Sequence, residues 1–150
     1  MNKRLIFKKG QIAVEYLFIL ALALAIIVPG SMLFFNYSRD SNEKLTASQI
    51  NKIGDNIINQ AEDIYSIGKN SWTTVETNFP ETTINAYIID NEFIITYNTP
   101  HGVTEGVFFS NVPIQGAYGN NISSEFHMGF TSIRIESKGG YVLISEEINN

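Results

Sequence analysis

The sequence predicts an α+β protein: a long N-terminal hydrophobic helix continues into an amphipathic helix, which packs on a small antiparallel β-sheet head. Three observations predict it. Residues 16–35 carry no charged side chain. From Leu45 to Tyr65, apolar residues recur at spacings of three and four. Beyond Lys69 the texture turns to short β-branched and aromatic runs separated by turn residues.

The first element is the apolar segment from Tyr16 to Phe35, interrupted only by Pro29, Gly30 and Ser31. Twenty helical residues at about 1.5 Å each span roughly 30 Å, the thickness of a bilayer's hydrocarbon core. Lys3, Arg4, Lys8 and Lys9 precede it, and without them the formal charge of -5 becomes about -9. A basic tip ahead of an acidic chain does not suit nucleic-acid binding. It suits a membrane precursor whose N-terminus stays in the cytoplasm and whose head lies outside. A cleaved secretory signal is the rival, with Ala21-Leu22-Ala23 or Ala23-Leu24-Ala25 as its small-residue site. Against it, the apolar run continues ten residues past Ala25, and Glu15 stands in its front edge. A carboxylate at mid-membrane costs up to ~2.5–3.5 kcal/mol on a translocon scale, less near the interface, so Glu15 asks for a partner. Pro29 removes a helical hydrogen bond and Gly30 is permissive, so a kink or locally extended turn is expected there.

Lys8-Lys9-Gly10 followed by Gln11-Ile12-Ala13-Val14-Glu15-Tyr16 resembles the class III signal sequence of type IV prepilins. It is most similar to the archaeal pilin form, Gln-x-Ser-x-Glu-Tyr after a basic residue and Gly, with Ala13 departing from the usual Ser. The resemblance covers about nine residues of motif and, with the hydrophobic helix, extends to about Phe35. It implies that residues 1–10 are a leader cut between Gly10 and Gln11 by a prepilin peptidase. Residues 11–37 would then form the hydrophobic transmembrane and filament-core helix, and residues 38–150 an extracellular head. It further implies that Glu15 pairs with the new amine of Gln11 on a neighbouring subunit. The other implied partners are copies of the chain itself, an assembly platform with its ATPase, and membrane lipid before assembly. The implied output is a surface filament for adhesion; a minor pilin or pseudopilin of a secretion or uptake machine shares the same signature.

Within the head, Asp40-Ser41-Asn42-Glu43 reads as an N-cap with a Glu three residues on, where a helix restarts. Leu45, Ile50, Ile53, Ile57, Ala61, Ile64 and Tyr65 form the apolar stripe, and Gly68 is the C′ residue. Strands are expected at 72–79, 83–89, 92–97, 106–112, 130–137 and 141–146, with hairpin turns at Asp90-Asn91 and Lys138-Gly139-Gly140. Residues 116–124 read as an exposed loop.

Site chemistry is sparse. The absence of cysteine excludes disulfides, thiolate metal sites and a Cys nucleophile. His101 and His127 read as loop residues rather than ligands, and Asp90, Glu92, Glu105, Glu125, Glu146 and Glu147 as a solvated acidic face. No phosphate-binding, zinc-protease or EF-hand motif occurs, so neither an enzyme nor a cofactor is expected. A membrane-tethered enzyme or solute-binding domain would need a pocket with convergent polar groups in the head. Asn36-Tyr37-Ser38 and Asn121-Ile122-Ser123 fit N-glycosylation sequons, Asn121 being the better placed, in a loop.

Overall fold

The computed structural model describes residues 12–147, together with the backbone of residues 3–11. One α-helix, α1 (Lys3–Ile67), is followed by seven strands: β1 (Trp72–Phe79), β2 (Thr83–Ile89), β3 (Glu92–Thr99), β4 (Gly102–Phe109), β5 (Ile114–Gly116), β6 (Gly129–Ser137) and β7 (Val142–Glu147). Two compact units result, residues 1–42 and residues 43–150. The architecture is α+β, as expected.

Helix α1 runs unbroken through 40–43, so Asp40 does not cap a new start. No proline or glycine lies between Ser31 and Ile53, and a capping residue alone cannot end a helix whose backbone continues to bond. The helix does end where Gly68 was expected to stop it. Gly68 takes φ +111°, and Ser71 Oγ donates to the Ile64 and Gly68 carbonyls at 2.9 and 2.6 Å.

In the second unit, Ile50, Ile53, Ile57, Ile58, Ala61 and Ile64 of α1 are buried in one core with residues of both sheets, while Leu45 is 61% exposed and lies outside it. Their three- and four-residue spacing sets one apolar stripe on the helix. The stripe meets two sheets rather than the single antiparallel one expected. One has the order β1-β6-β7-β5, with β5 parallel to β7; the other has the order β2-β3-β4, wholly antiparallel. Residues 117–122 tie them together. Ile88 N donates to Asn120 O of this loop, Ile122 N donates to Ala86 O of β2, and Glu146 N of β7 donates to Ile122 O.

Both expected hairpin turns form. Asp90 and Asn91 have φ of 50° and 67°, the left-handed pair that a two-residue turn between twisted strands requires. At the other, Lys138 N donates to Tyr141 O across Gly139, whose φ is +94°. Helix and sheet approach closely at Gly54, where an added Cβ would stand 2.3 Å from the Phe108 ring. Glycine there lets the ring of β4 lie against the helix backbone.

Candidate functional site

Residues 12–37 make the most unusual surface of the chain. No side chain among them is buried. Ile12, Tyr16, Phe18, Ile26, Leu33 and Phe35 are each about two-thirds exposed and stand on every side of the helix. Successive helical residues turn by about 100°, so a run apolar at every position has no polar face to offer water. Burial of one such side chain is worth ~1.5–3 kcal/mol, and the segment leaves a whole series of them to be covered. The helix is long and apolar enough to cross a membrane.

Glu15 is exposed on this helix between Val14 and Tyr16. Gly10 and Gln11, the expected processing junction, lie outside the residues whose side chains are described. Helical geometry sets Glu15 four rises from residue 11, roughly 6 Å along the axis.

At Pro29 the helix continues, and the ring's missing N–H withholds the donor that the Ala25 carbonyl would receive. Two residues on, Ser31 Oγ donates to Ile27 O at 2.7 Å, a back-bond that competes with the helical donor and favours bending. Nothing lies within 4 Å of a Cβ built on Gly30, so no contact within this chain demands a glycine. Weakened backbone bonding is therefore concentrated within two turns in the middle of the apolar run.

The sequons differ in setting. Asn36 is exposed on α1, in helical backbone. Asn121 is exposed on a tight turn closed by Tyr118 N to Asn121 O (3.0 Å) and Asn121 N to Tyr118 O (3.2 Å), with Gly119 at φ +70°. Asn85 Nδ2 donates to Asn121 Oδ1 at 3.2 Å, which engages the carboxamide oxygen rather than the nitrogen a glycan would take. Ser123 is 5% exposed, and its Oγ donates to Glu125 O at 2.6 Å.

Of the histidines, His101 is exposed, 3.6 Å from Glu43, in the turn between β3 and β4. His127 was expected to be an uninvolved loop residue and Glu146 a solvated one; the structure corrects both. Glu146 has a side chain only 1% exposed, and its Oε1 accepts from Thr131 Oγ1 at 3.0 Å and meets His127 Nδ1 at 3.1 Å. The alternation of β7 explains it, since Val142, Ile144 and Glu146 share the core-facing side. The remaining carboxylates are dispersed. Asp90 occupies a turn and Glu125 a loop. Glu105 accepts from the Tyr87 hydroxyl at 3.0 Å, and Glu147 accepts from Arg134 Nη1 at 3.3 Å. Burial first, and the Glu105 carboxylate second, push the Tyr87 phenol above its ordinary range.

Two open grooves flank α1 in the second unit. The larger, about 800 Å³, lies between α1 and β1 and is lined by Lys52, Asp55, Asn59, Glu76 and Asn78 among others. The smaller, about 430 Å³, lies between α1 and β4, with Asp55, Glu62, Phe109 and Asn111 on its walls. Among the described residues no group of three or more His, Asp or Glu side chains is placed to hold a metal ion. Among the described residues the surface thus offers an uncovered apolar helix with one carboxylate, and a second unit with open grooves of mixed polarity. No family model matches the chain, and neither a curated protein nor a solved structure is similar to it.

Proposed function

We propose that the chain is a structural subunit of a type IV pilus-like surface filament, polymerised through its N-terminal helix for adhesion. A prepilin peptidase removes residues 1–10 on the cytoplasmic side, the helix holds the precursor in the membrane, and an assembly platform with its ATPase draws it into the filament. The observation that carries this reading is an apolar helix exposed on every side directly behind Lys8-Lys9-Gly10-Gln11 and Glu15. Lipid covers such a helix before assembly and the helices of other subunits cover it afterwards, so one surface serves both states. The soft stretch around Pro29 supports the reading, because a helix that must repack benefits from a place where bending is cheap.

In this mechanism Glu15 sets register. Cleavage creates an amine at Gln11, and a carboxylate entering an apolar bundle is held there by that amine on the adjoining subunit. Removing one partner of a buried pair costs about 3–5 kcal/mol, and the cost recurs with each subunit added. Glu15→Gln is therefore expected to leave insertion and leader removal intact while filaments become absent or sparse in electron micrographs. Filaments of normal number and length from cells carrying only Glu15→Gln would contradict the mechanism.

A further inference from the structure

We propose that the two open sheet edges of the head pair between copies of this chain, β1 of one subunit against β4 of the next. The inference rests on the reading of the chain as a filament subunit and names the head surface that subunits share. Strand order leaves β1 and β4 as terminal strands of their sheets. The other two ends are occupied differently: residues 120–122 bond along β2, and β5 is three residues long.

The hydrogen-bond parity of each edge follows from its neighbours. Ser110 N donates to Asn91 O and β4 pairs in register with β3, so Gly102, Thr104, Gly106 and Phe108 bond inward. Val103, Glu105, Val107 and Phe109 then turn their backbone groups to the free edge. By the same alternation, Ser137 N donating to Ser71 O sets the groups of Trp72, Thr74, Glu76 and Asn78 along the free edge of β1. All of these outward residues have exposed side chains. Phe109 is 72% exposed, Val103 63% and Trp72 56%. Each edge is eight residues long, contains no proline and bears a single charge, which makes it a ready template for another strand.

Charge selects the partner. Around β4 the groups are acidic: Glu62 in the adjoining groove, Glu105 on the strand, and Glu92 opposite Phe109. Around β1 lie Lys52, Lys69, Arg134 and Lys138, all the cations of residues 43–150 apart from Lys44, mixed with the acids Glu76 and Glu136 and with Asp55, which lines both grooves. Two β4 edges brought together would concentrate negative charge, whereas β4 against β1 brings acids to cations. An antiparallel register with Trp72 opposite a second copy's Val107, and Thr74 opposite its Glu105, avoids setting Glu105 against Glu76. It sets Glu105 on the same face as Arg134, the cross-strand neighbour of Thr74, two strands and roughly 10 Å away, a gap that the two long side chains can span while Arg134 stays stacked over Trp72 at 4.5 Å. Each pair of outward residues exchanges two backbone hydrogen bonds. Because the two edges differ, the contact is head-to-tail and propagates rather than closing as a dimer.

The cysteine-free sequence makes the test direct. Thr74→Cys and Val107→Cys would sit diagonally across the joint, roughly 7–8 Å apart, within reach of a short bis-maleimide. Intact cells displaying the full chain with both substitutions should give a ladder of dimers, trimers and higher rungs, and either substitution alone only monomer. Adding Glu105→Lys to the double variant should weaken the rungs at least fivefold. A double variant whose thiols take up a maleimide dye but give no rungs would overturn the pairing. So would dimers from Val107→Cys alone, or rungs undiminished by Glu105→Lys. Electron microscopy of the same cells separates this from the pilus reading: filaments without a ladder sink only the pairing, and a ladder without filaments upholds the pairing and sinks the filament.

Discussion

Lys138 Nζ lies 2.5 Å from Glu136 Oε1, and Arg134 Nε lies 3.7 Å from Glu136 Oε2, so one carboxylate is shared by two cations on a partly exposed strand. The Lys138 hydrogen bond, outweighing the opposing desolvation, holds the Glu136 carboxyl below the usual carboxylate range. A carboxyl whose folded value is lowered adds stability above its unfolded value and loses it as pH falls through the folded one. The pair is solvent-screened, so its contribution at neutral pH is at most about 1 kcal/mol. Lys138→Met should raise the Glu136 pKa toward the ordinary value in an NMR titration, with little change in Tm at pH 7; an unmoved Glu136 would show that Arg134 sets it. Glu146 shows where residue-level reading stops. In Ser145-Glu146-Glu147 the sequence does not say which glutamate faces inward, and only the register of β7 on β6 turns Glu146 toward Ile133 and the core. His127 acquires its role through the same register, although it lies nineteen positions from Glu146.

At the scale of elements, two glycines on one helix make opposite predictions. Gly54 faces the Phe108 ring with no room for a methyl group, while Gly30 has open space around it. Alanine gains about 1 kcal/mol of helix propensity over glycine at either site. At Gly54 the overpacking penalty of about 1–3 kcal/mol outweighs that gain, because the buried ring must shift. Gly54→Ala should therefore lower the midpoint of denaturant unfolding, and Gly30→Ala should leave the head unchanged while stiffening the apolar helix. Equal, unchanged midpoints for both would mean that the Phe108 contact is slack. The helical stripe, its Gly68 terminus, β1, β2 and both hairpin turns were legible, because periodicity and turn chemistry are local. The strand expected at 106–112 instead spans Gly102–Phe109. Its first half, Gly-Val-Thr-Glu-Gly, faces solvent on an open edge and so lacks the alternation that marks a half-buried strand. Strand β5 was illegible for a different reason: three residues carry no period, and its parallel pairing with β7 is a long-range contact.

For the whole molecule, the apolar helix is a surface that must be covered and the head is a folded unit with its own core. The structure divides after Asn42, and a charge-free run and a striped, turn-rich remainder differ in composition on the two sides. That the head carries two sheets joined through residues 117–122 was not legible, because the joining bonds involve Asn120 and Ile122 in a segment read as loop. The proposed assembly site rests on Glu15 and the junction motif alone, and these residues bear the central claim that the apolar helix survives processing as a filament core. Intact-mass and N-terminal peptide analysis of the mature protein, taken from cells that have a prepilin peptidase, measures this most directly. The expected N-terminus is Gln11 or its pyroglutamate, with the whole apolar run retained and Gly10→Val leaving the precursor uncut in the membrane. A mature chain beginning at Leu24 or Ile26 would contradict it, because the helix would then have been discarded as an ordinary secretion signal.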